Sequence, residues 1–159
     1  MAIYLKFGDV KGHVTTDGFK DWIECTSFHW GVSRHIGSAA RHAHGREHSE
    51  PTLQEVTVTK HADASSPKLF LDAVGGKLDT KATLKFTTTT KAKIDTFLTY
   101  EFENTGLSHY SLSSSGDVPV ETLSLNFTKI TKSYTSMDPG RTGTPERVSY
   151  DLTQMKAGA

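Results

Sequence analysis

A histidine-rich stretch, RHAHGREHSEP at residues 41–51, contains the residue types that most suggest chemistry in this sequence. His42 and His44 are two residues apart, so an extended backbone would direct both imidazoles to the same face. His48 would complete a set of three nitrogen ligands of the kind that binds zinc. One interpretation is therefore a metal-binding β-protein that uses these three histidines.

The charged neighbours favour a different interpretation of the same stretch. Arg41 and Arg46 lie among the histidines, and two guanidinium groups would repel a metal ion unless Glu47 or Glu50 compensated their charge. A polar loop that makes contacts through paired charges fits these residue types better. We therefore predict no metal site and keep the metal-binding protein as an alternative.

Other catalytic patterns in the sequence are incomplete. GVSRH at residues 31–35 lacks the second glycine of a nucleophile elbow. GGKL at residues 75–78 places Leu78 where a phosphate-binding loop needs a serine or threonine. We predict that the chain is not an enzyme and needs no cofactor.

Composition restricts the partners and the compartment. Eighteen basic residues balance eighteen acidic ones among 159, so the chain lacks the positive field that attracts nucleic acid. No apolar run approaches the roughly 18 residues that would insert into a membrane. The alternating N-terminus MAIYLKFGDVKG does not resemble a cleaved signal peptide. We expect one domain over residues 1–159, synthesised in the cytoplasm and, if exported, secreted without a cleaved leader.

The elements that would position the histidine loop are mostly strands. Apolar residues alternate with polar ones in about eight segments, a pattern typical of a β-sandwich or barrel. The pattern changes parity within residues 22–33, which predicts a β-bulge there. The segments are IYLKF, WIECTSFHWGVS, LQEVTVTK, KLDTKATLKF, FLTYEF, HYSLS, ETLSLNFTKITKSY and RVSYDL.

One helix interrupts this pattern at residues 65–76, SSPKLFLDAVGG. Ser66 is placed as the N-cap, Pro67 as the first helical residue, and Gly75 just past the end. Long polar loops occupy residues 34–52 and 136–146, and the first contains the histidines.

Taken together, the motifs resemble the haemolysin-coregulated proteins, the Hcp family of type VI secretion systems. The resemblance covers nearly the whole chain in the family's order. The matching runs are FGDVKG, DWIE with FHWG, REHSEP with EVTVTK, SSPKLF and LSLNFTKI. The nearest alternative is the tail-tube protein of a contractile phage-like particle, which shares the same ring architecture.

The resemblance implies a mainly β fold, a compact β-barrel of two sheets flanked by one α-helix. Six copies would form a ring, and rings would stack into the inner tube that a contractile sheath drives outward behind a spike or tip protein. Effectors would be carried in the lumen of the ring. No fused effector domain is expected after the last strand.

Two surfaces are expected to make the contacts between subunits. We predict that loop 34–52 connects stacked rings, with Arg41, His42, His44, Arg46, Glu47, His48 and Glu50 as its contact residues. We predict that the helix contributes to the lateral contact within a ring through Leu69, Phe70 and Val74.

Overall fold

The computed structural model describes residues 1–37, 49–90, 93–136 and 143–159 of the chain. Within these ranges the chain forms twelve strands and one helix. In chain order they are β1 (Ala2–Phe7), β2 (Ile23–Cys25), β3 (Ser27–His29), β4 (Val32–Ser33), β5 (Thr52–Leu53), β6 (Val56–His61), α1 (Ser66–Gly75), β7 (Thr80–Thr90), β8 (Lys93–Ser113), β9 (Val120–Asn126), β10 (Lys129–Tyr134), β11 (Glu146–Asp151) and β12 (Lys156–Gly158).

The strands form two antiparallel sheets that share the long strand β8. Its first part pairs with β7 on one side and β10 on the other, which gives the larger sheet the order β12-β11-β10-β8-β7-β1-β2. Its second part, from Gly106 onward, pairs with β9 in a smaller sheet that continues through β6 to β3. The strands β4 and β5 form a separate two-stranded ladder.

The segment Ile23–His29 connects the two sheets at their other margin. Its strand β2 pairs with β1, whereas β3 pairs with β6. The change of partner occurs at Thr26, whose amide donates to the carbonyl oxygen of Thr59 at 2.7 Å. The mainly β fold with two sheets and one helix is confirmed. In the described part of the chain, the ladders do not form a continuous closed barrel. Within Ile23–His29, pairing with β1 ends before pairing with β6 begins.

The core lies between the two sheets. The alternation predicted from the sequence places Leu5, Leu84 and Phe102 of the larger sheet opposite Val58 and Leu123 of the smaller one. All five side chains have 0% exposure. A second, smaller cluster of Tyr4, Val14 and Phe19 lies under the loop that follows β1.

The predicted strands differ from the observed ones mainly where one segment is divided or two are joined. The parity change within residues 22–33 falls at Thr26, where the chain changes its partner strand instead of forming the predicted bulge. The segment ETLSLNFTKITKSY is divided into β9 and β10. The segments FLTYEF and HYSLS are one strand rather than two, because β8 bends between the sheets through a register shift near Leu107. The helix begins at Ser66 and ends at Gly75, so the two predicted caps are its first and last residues. The observed caps, Ser65 and Gly76, each lie one residue outside the predicted positions.

Candidate assembly surfaces

The base of the histidine loop is fixed by backbone contacts. Val32 pairs with Leu53 in the β4–β5 ladder. Beyond this ladder, hydrogen bonds between His35 and Ser49 join the two ends of the loop. The amide of Ser49 donates to the carbonyl oxygen of His35 at 3.0 Å, and the amide of His35 donates to the Ser49 hydroxyl oxygen at 3.0 Å. The two ends of the loop, at His35 and Ser49, therefore lie side by side.

Most of the predicted stacking residues lie outside the described residues. These are Arg41, His42, His44, Arg46, Glu47 and His48. Glu50, where the chain returns from the loop, is exposed. In the part of the chain that the structure describes, no group of three or more His, Cys, Asp or Glu side chains is arranged to hold a metal ion.

Helix α1 directs its large apolar side chains to the solvent. Phe70 is 56% exposed, Leu71 69% and Val74 70%. The opposite side of the helix contains Leu69, which is fully buried, together with Ser66 and Asp72. A helix on the surface of a domain ordinarily has the reverse arrangement. We call the exposed side, formed by Phe70, Leu71 and Val74, the helix face.

The position of Leu69 corrects one sequence-based expectation. Its side chain has 0% exposure and belongs to the subunit's own core, so it is not available for a lateral contact. The i, i+1, i+4, i+5 stripe of apolar residues divides between two sides of the helix, since a separation of one residue turns the side chain by about 100°. Phe70 and Val74 remain as lateral candidates.

A buried ion pair lies beneath the start of the helix. Lys60 and Glu121 are directly opposite each other on β6 and β9, and both have 0% exposure. The Lys60 Nζ atom lies 2.5 Å from Glu121 Oε2, 3.0 Å from Asp63 Oδ1 and 3.5 Å from the Ser66 hydroxyl oxygen. Three acceptors therefore surround an ammonium group that has three hydrogens to donate.

The carboxylate of Glu121 collects further donors from two neighbouring elements. The Ser66 hydroxyl of α1 donates to its Oε2 atom at 3.0 Å, and the Tyr110 hydroxyl of β8 donates to its Oε1 atom at 2.5 Å. Burial, and then the hydrogen bond to Glu121, raise the pKa of Tyr110 to about 12. The phenol stays protonated near neutral pH and remains a donor.

Asp63 extends the network to the N-terminal loop. Its Oδ1 atom accepts hydrogen bonds from the amide and hydroxyl of Ser65, and its Oδ2 atom lies 3.5 Å from His13 Nδ1. Burial alone would raise the pKa of Asp63, but the hydrogen bonds from Ser65 and Lys60 outweigh burial and hold the pKa below its usual value of 3.8.

These polar contacts attach the inward side of the helix to the rest of the subunit. Rotating α1 to bury the helix face would gain roughly 1.5–3 kcal/mol for each large apolar side chain fully removed from water. The same rotation would expose Leu69, break the hydrogen bond of Ser66 to Glu121, and break the hydrogen bond that Asp72 accepts from the Leu107 amide at 3.3 Å. Each polar group left buried without a partner costs about 1–3 kcal/mol, and a charged group costs more. The gain from burying the helix face is therefore opposed by the exposure of Leu69 and by unpaired polar groups around the buried ion pair.

A second uncovered surface lies at the margin of the larger sheet. The inward-facing row Leu5, Leu84 and Tyr100 continues across paired strands to Lys132 and Val148. Exposure rises along the row from 0% at Leu84 to 48% at Val148. With Tyr134 and Glu146, Lys132 and Val148 line a cavity of about 230 Å³. We call these four residues the sheet margin.

Sequence reasoning missed the buried network, although one signal was present. Lys60 has the same parity as the buried Val56 and Val58, and Glu121 has the same parity as the buried Leu123 and Leu125. A charged residue at a core position in each of two strands indicates a buried pair, because an isolated buried charge is very unfavourable.

Comparisons with known proteins agree with this architecture. The family model described as "Type VI secretion system effector, Hcp" matches residues 4–134. A solved structure of a type six secretion system protein is 26% identical, covers 99% of each chain and superposes with a TM-score of 0.88. Hcp1 from Salmonella typhimurium is 22% identical over 98% of this chain and 97% of its own, with a TM-score of 0.74. Hcp3 from Pseudomonas aeruginosa is 16% identical over 94% and 97%, with a TM-score of 0.68. A search of the curated proteins found no match.

The fold and the family match together define a tube protein of a type VI secretion system. The chain belongs to the Hcp family, as its motifs indicated, and proteins of this family are secreted by that system. Among the described ranges, no helix has both the length and the hydrophobicity needed to cross a membrane.

The lowered pKa of Asp63 predicts how stability depends on pH. A carboxyl group with a lowered folded-state pKa contributes stability above its unfolded value, about 3.9, and loses that contribution as the pH falls through the folded-state pKa. We expect Asp63→Asn to lower the free energy of unfolding at pH 7, and the difference from the unaltered protein to shrink below pH ~4. Urea unfolding at pH 7, 5, 3.5 and 2.5 measures this difference. Asp17→Asn, at an exposed carboxylate, is the control. A difference that stays constant down to pH 2.5 would contradict the prediction.

Proposed function

We propose that six copies of this chain form a ring with an open centre, and that the rings stack into the inner tube of the secretion system. The observation that carries this proposal is that a single subunit leaves two different surfaces uncovered, the helix face and the sheet margin. Contacts between two different surfaces generate a ring if the rotation between neighbours closes. Family membership supports the same assembly.

Images of the purified protein test this function directly. We expect negative-stain micrographs to show rings with an open centre and, at high protein concentration, end-on stacks of rings. Sedimentation should give one species with the mass of six subunits. A protein that remains monomeric across the concentration range of the experiment would refute the ring.

The lateral contact proposed here joins the helix face of one subunit to the sheet margin of the next. Phe70 and Val74 supply protruding apolar side chains, and Tyr134 and Val148 supply an apolar floor. Covering the sheet margin would extend the neighbour's core along the row that begins at Leu84. Burial of these side chains is the main favourable term, because each Å² of apolar surface contributes about 25 cal/mol.

Paired cysteines test the lateral contact. We expect Val74→Cys combined with Val148→Cys to form disulfides between neighbours under mild oxidation, giving a ladder that ends at six subunits. Non-reducing gel electrophoresis measures the ladder. Each single-cysteine variant is a control, and the native Cys25 does not interfere because burial raises the pKa of its thiol to about 12. A dimer alone would show that like surfaces meet, and a protein without cross-links would contradict this contact.

Stacking between rings is assigned to loop 34–52. Its charged residues include Arg41, Arg46, Glu47 and Glu50, which offer complementary pairs to a neighbouring ring. An exposed ion pair contributes only about 0–1 kcal/mol, so each contact is weak. Repetition around the ring makes the total sufficient while single contacts remain reversible. Hydrogen bonds between His35 and Ser49 hold the two described ends of the loop together.

Deleting residues 41–48 separates stacking from ring formation. We expect the deletion variant to form rings of normal mass that no longer stack, because His35 and Ser49 still close the loop. A variant with the same residues replaced by a Gly-Ser segment of equal length distinguishes the loop's charges from its length. Negative-stain images and sedimentation measure both properties. Dissociation of the deletion variant into monomers would show that the loop acts within the ring.

The remaining partners are proposed from the family alone. They are a contractile sheath around the tube, a spike or tip protein at its end, and effectors carried in the lumen. The chain would act as one domain over residues 1–159 in this assembly. After synthesis in the cytoplasm it would leave the cell with the ejected tube, reaching the extracellular space or the target cell. We assign it a structural role rather than a catalytic one.

A further inference from the structure

We propose that the buried Lys60–Glu121 pair holds helix α1 with its apolar side outward, and that Tyr110 transmits this constraint to Phe70. These three residues would then be positioning residues for the lateral contact, although none of them belongs to the helix face. The inference rests on the proposed ring and names what prepares one of its surfaces.

The first part of the argument concerns the inward side of the helix. Between Ser66 and Gly75, Leu69 is the one fully buried apolar side chain, Ala73 packs half-buried against the core, and the other anchors are polar. Ser66 bonds to Glu121 at the beginning of the helix, and Asp72 bonds to the Leu107 amide at its end. Hydrogen bonds are directional, whereas apolar packing tolerates rotation and sliding. Two polar anchors therefore fix both the rotation and the axial position of α1.

The second part concerns the path from the ion pair to the helix face. Tyr110 is bonded through its hydroxyl to Glu121 Oε1 at 2.5 Å, and its ring meets the Phe70 ring edge-on, with 5.9 Å between centroids. One side of Tyr110 thus contacts the buried carboxylate and the other contacts an exposed residue. Loss of the hydrogen bond would release the ring that supports Phe70.

The third part concerns why a charged pair occupies this place. The Lys60 ammonium group is held between Glu121 of strand β9 and Asp63 in the turn just before the helix begins. A buried charge pair is a weak source of stability compared with apolar residues of similar size, but it can specify one arrangement among several. Here the arrangement that it specifies exposes Phe70 and Val74, which apolar packing alone would not favour.

The test compares ring affinity with subunit stability. The double variant Lys60→Met with Glu121→Leu replaces the pair with apolar side chains of similar volume, so the subunit should unfold at an unchanged or higher temperature. We expect its ring to dissociate at a subunit concentration at least tenfold higher than that at which the ring of the unaltered protein dissociates. Analytical ultracentrifugation measures both concentrations. A double variant that is stable and assembles normally would overturn the proposal.

A second comparison applies if the double variant does not fold. Tyr110→Phe removes only the hydroxyl, and Ile23→Val is a control that shortens a fully buried core side chain on β2. Both changes should lower the unfolding midpoint modestly, but only Tyr110→Phe should weaken the ring, by about fivefold or more. Equal effects on the ring, or no effect of Tyr110→Phe, would overturn the proposal.

Hydrogen exchange separates this inference from the ring itself. In dilute monomer, the amides of Leu69–Ala73 should exchange at least tenfold faster in Tyr110→Phe than in the unaltered protein, with little change in Ile23→Val. If the unaltered chain forms no ring but shows this difference, the proposed function fails and the positioning role survives. If these amides exchange at the same rate in Tyr110→Phe and in the unaltered protein, the positioning role fails even where rings form.

Discussion

One buried interaction, the ion pair between Lys60 and Glu121, joins helix α1 to the two strands beneath it through Ser66. Both residues occupy core positions of their strands, where the neighbouring side chains are valines and leucines. The pair is tolerated because Asp63, Ser66 and Tyr110 satisfy the remaining hydrogen-bonding atoms. Those same contacts extend to the turn before the helix, to the helix and to the long strand β8. A charge placed in the core thereby links three elements that apolar packing would join less specifically.

The subunit leaves apolar surface uncovered in two places. The helix face is exposed because the polar side of α1 turns inward, and the sheet margin is exposed because β10 and β11 continue beyond the opposing sheet. Exposed apolar patches of this kind mark association sites in soluble proteins. A near-zero net charge suits association of identical copies, since charge of one sign would accumulate around a ring. These surface properties support the ring proposed for this chain.

The sequence predicted those features that depend on neighbouring residues. Alternation identified most strands, the parity change located the break at Thr26, and Ser-Pro followed by an apolar stripe located the helix to within one residue. The sequence did not predict that β8 is one strand across both sheets, because its register shift near Leu107 depends on pairing with β9. Nor did it predict which side of α1 is buried. The inward side of α1 bonds to Glu121, which is 55 residues away from Ser66 along the chain. Local patterns do not contain such long-range contacts.

The two proposed contacts differ in the way a tube protein requires. The lateral contact is assigned to apolar side chains, whose association salt does not screen as it screens charges. The stacking contact is assigned to the charged residues of loop 34–52, whose ends meet at His35 and Ser49, and ion pairs between solvated charges are weak and screened by salt. A ring built from the first kind of contact would persist while stacks built from the second assemble and separate. The division between strong lateral and weak axial contacts thus follows from where the chain places its apolar residues and its charges.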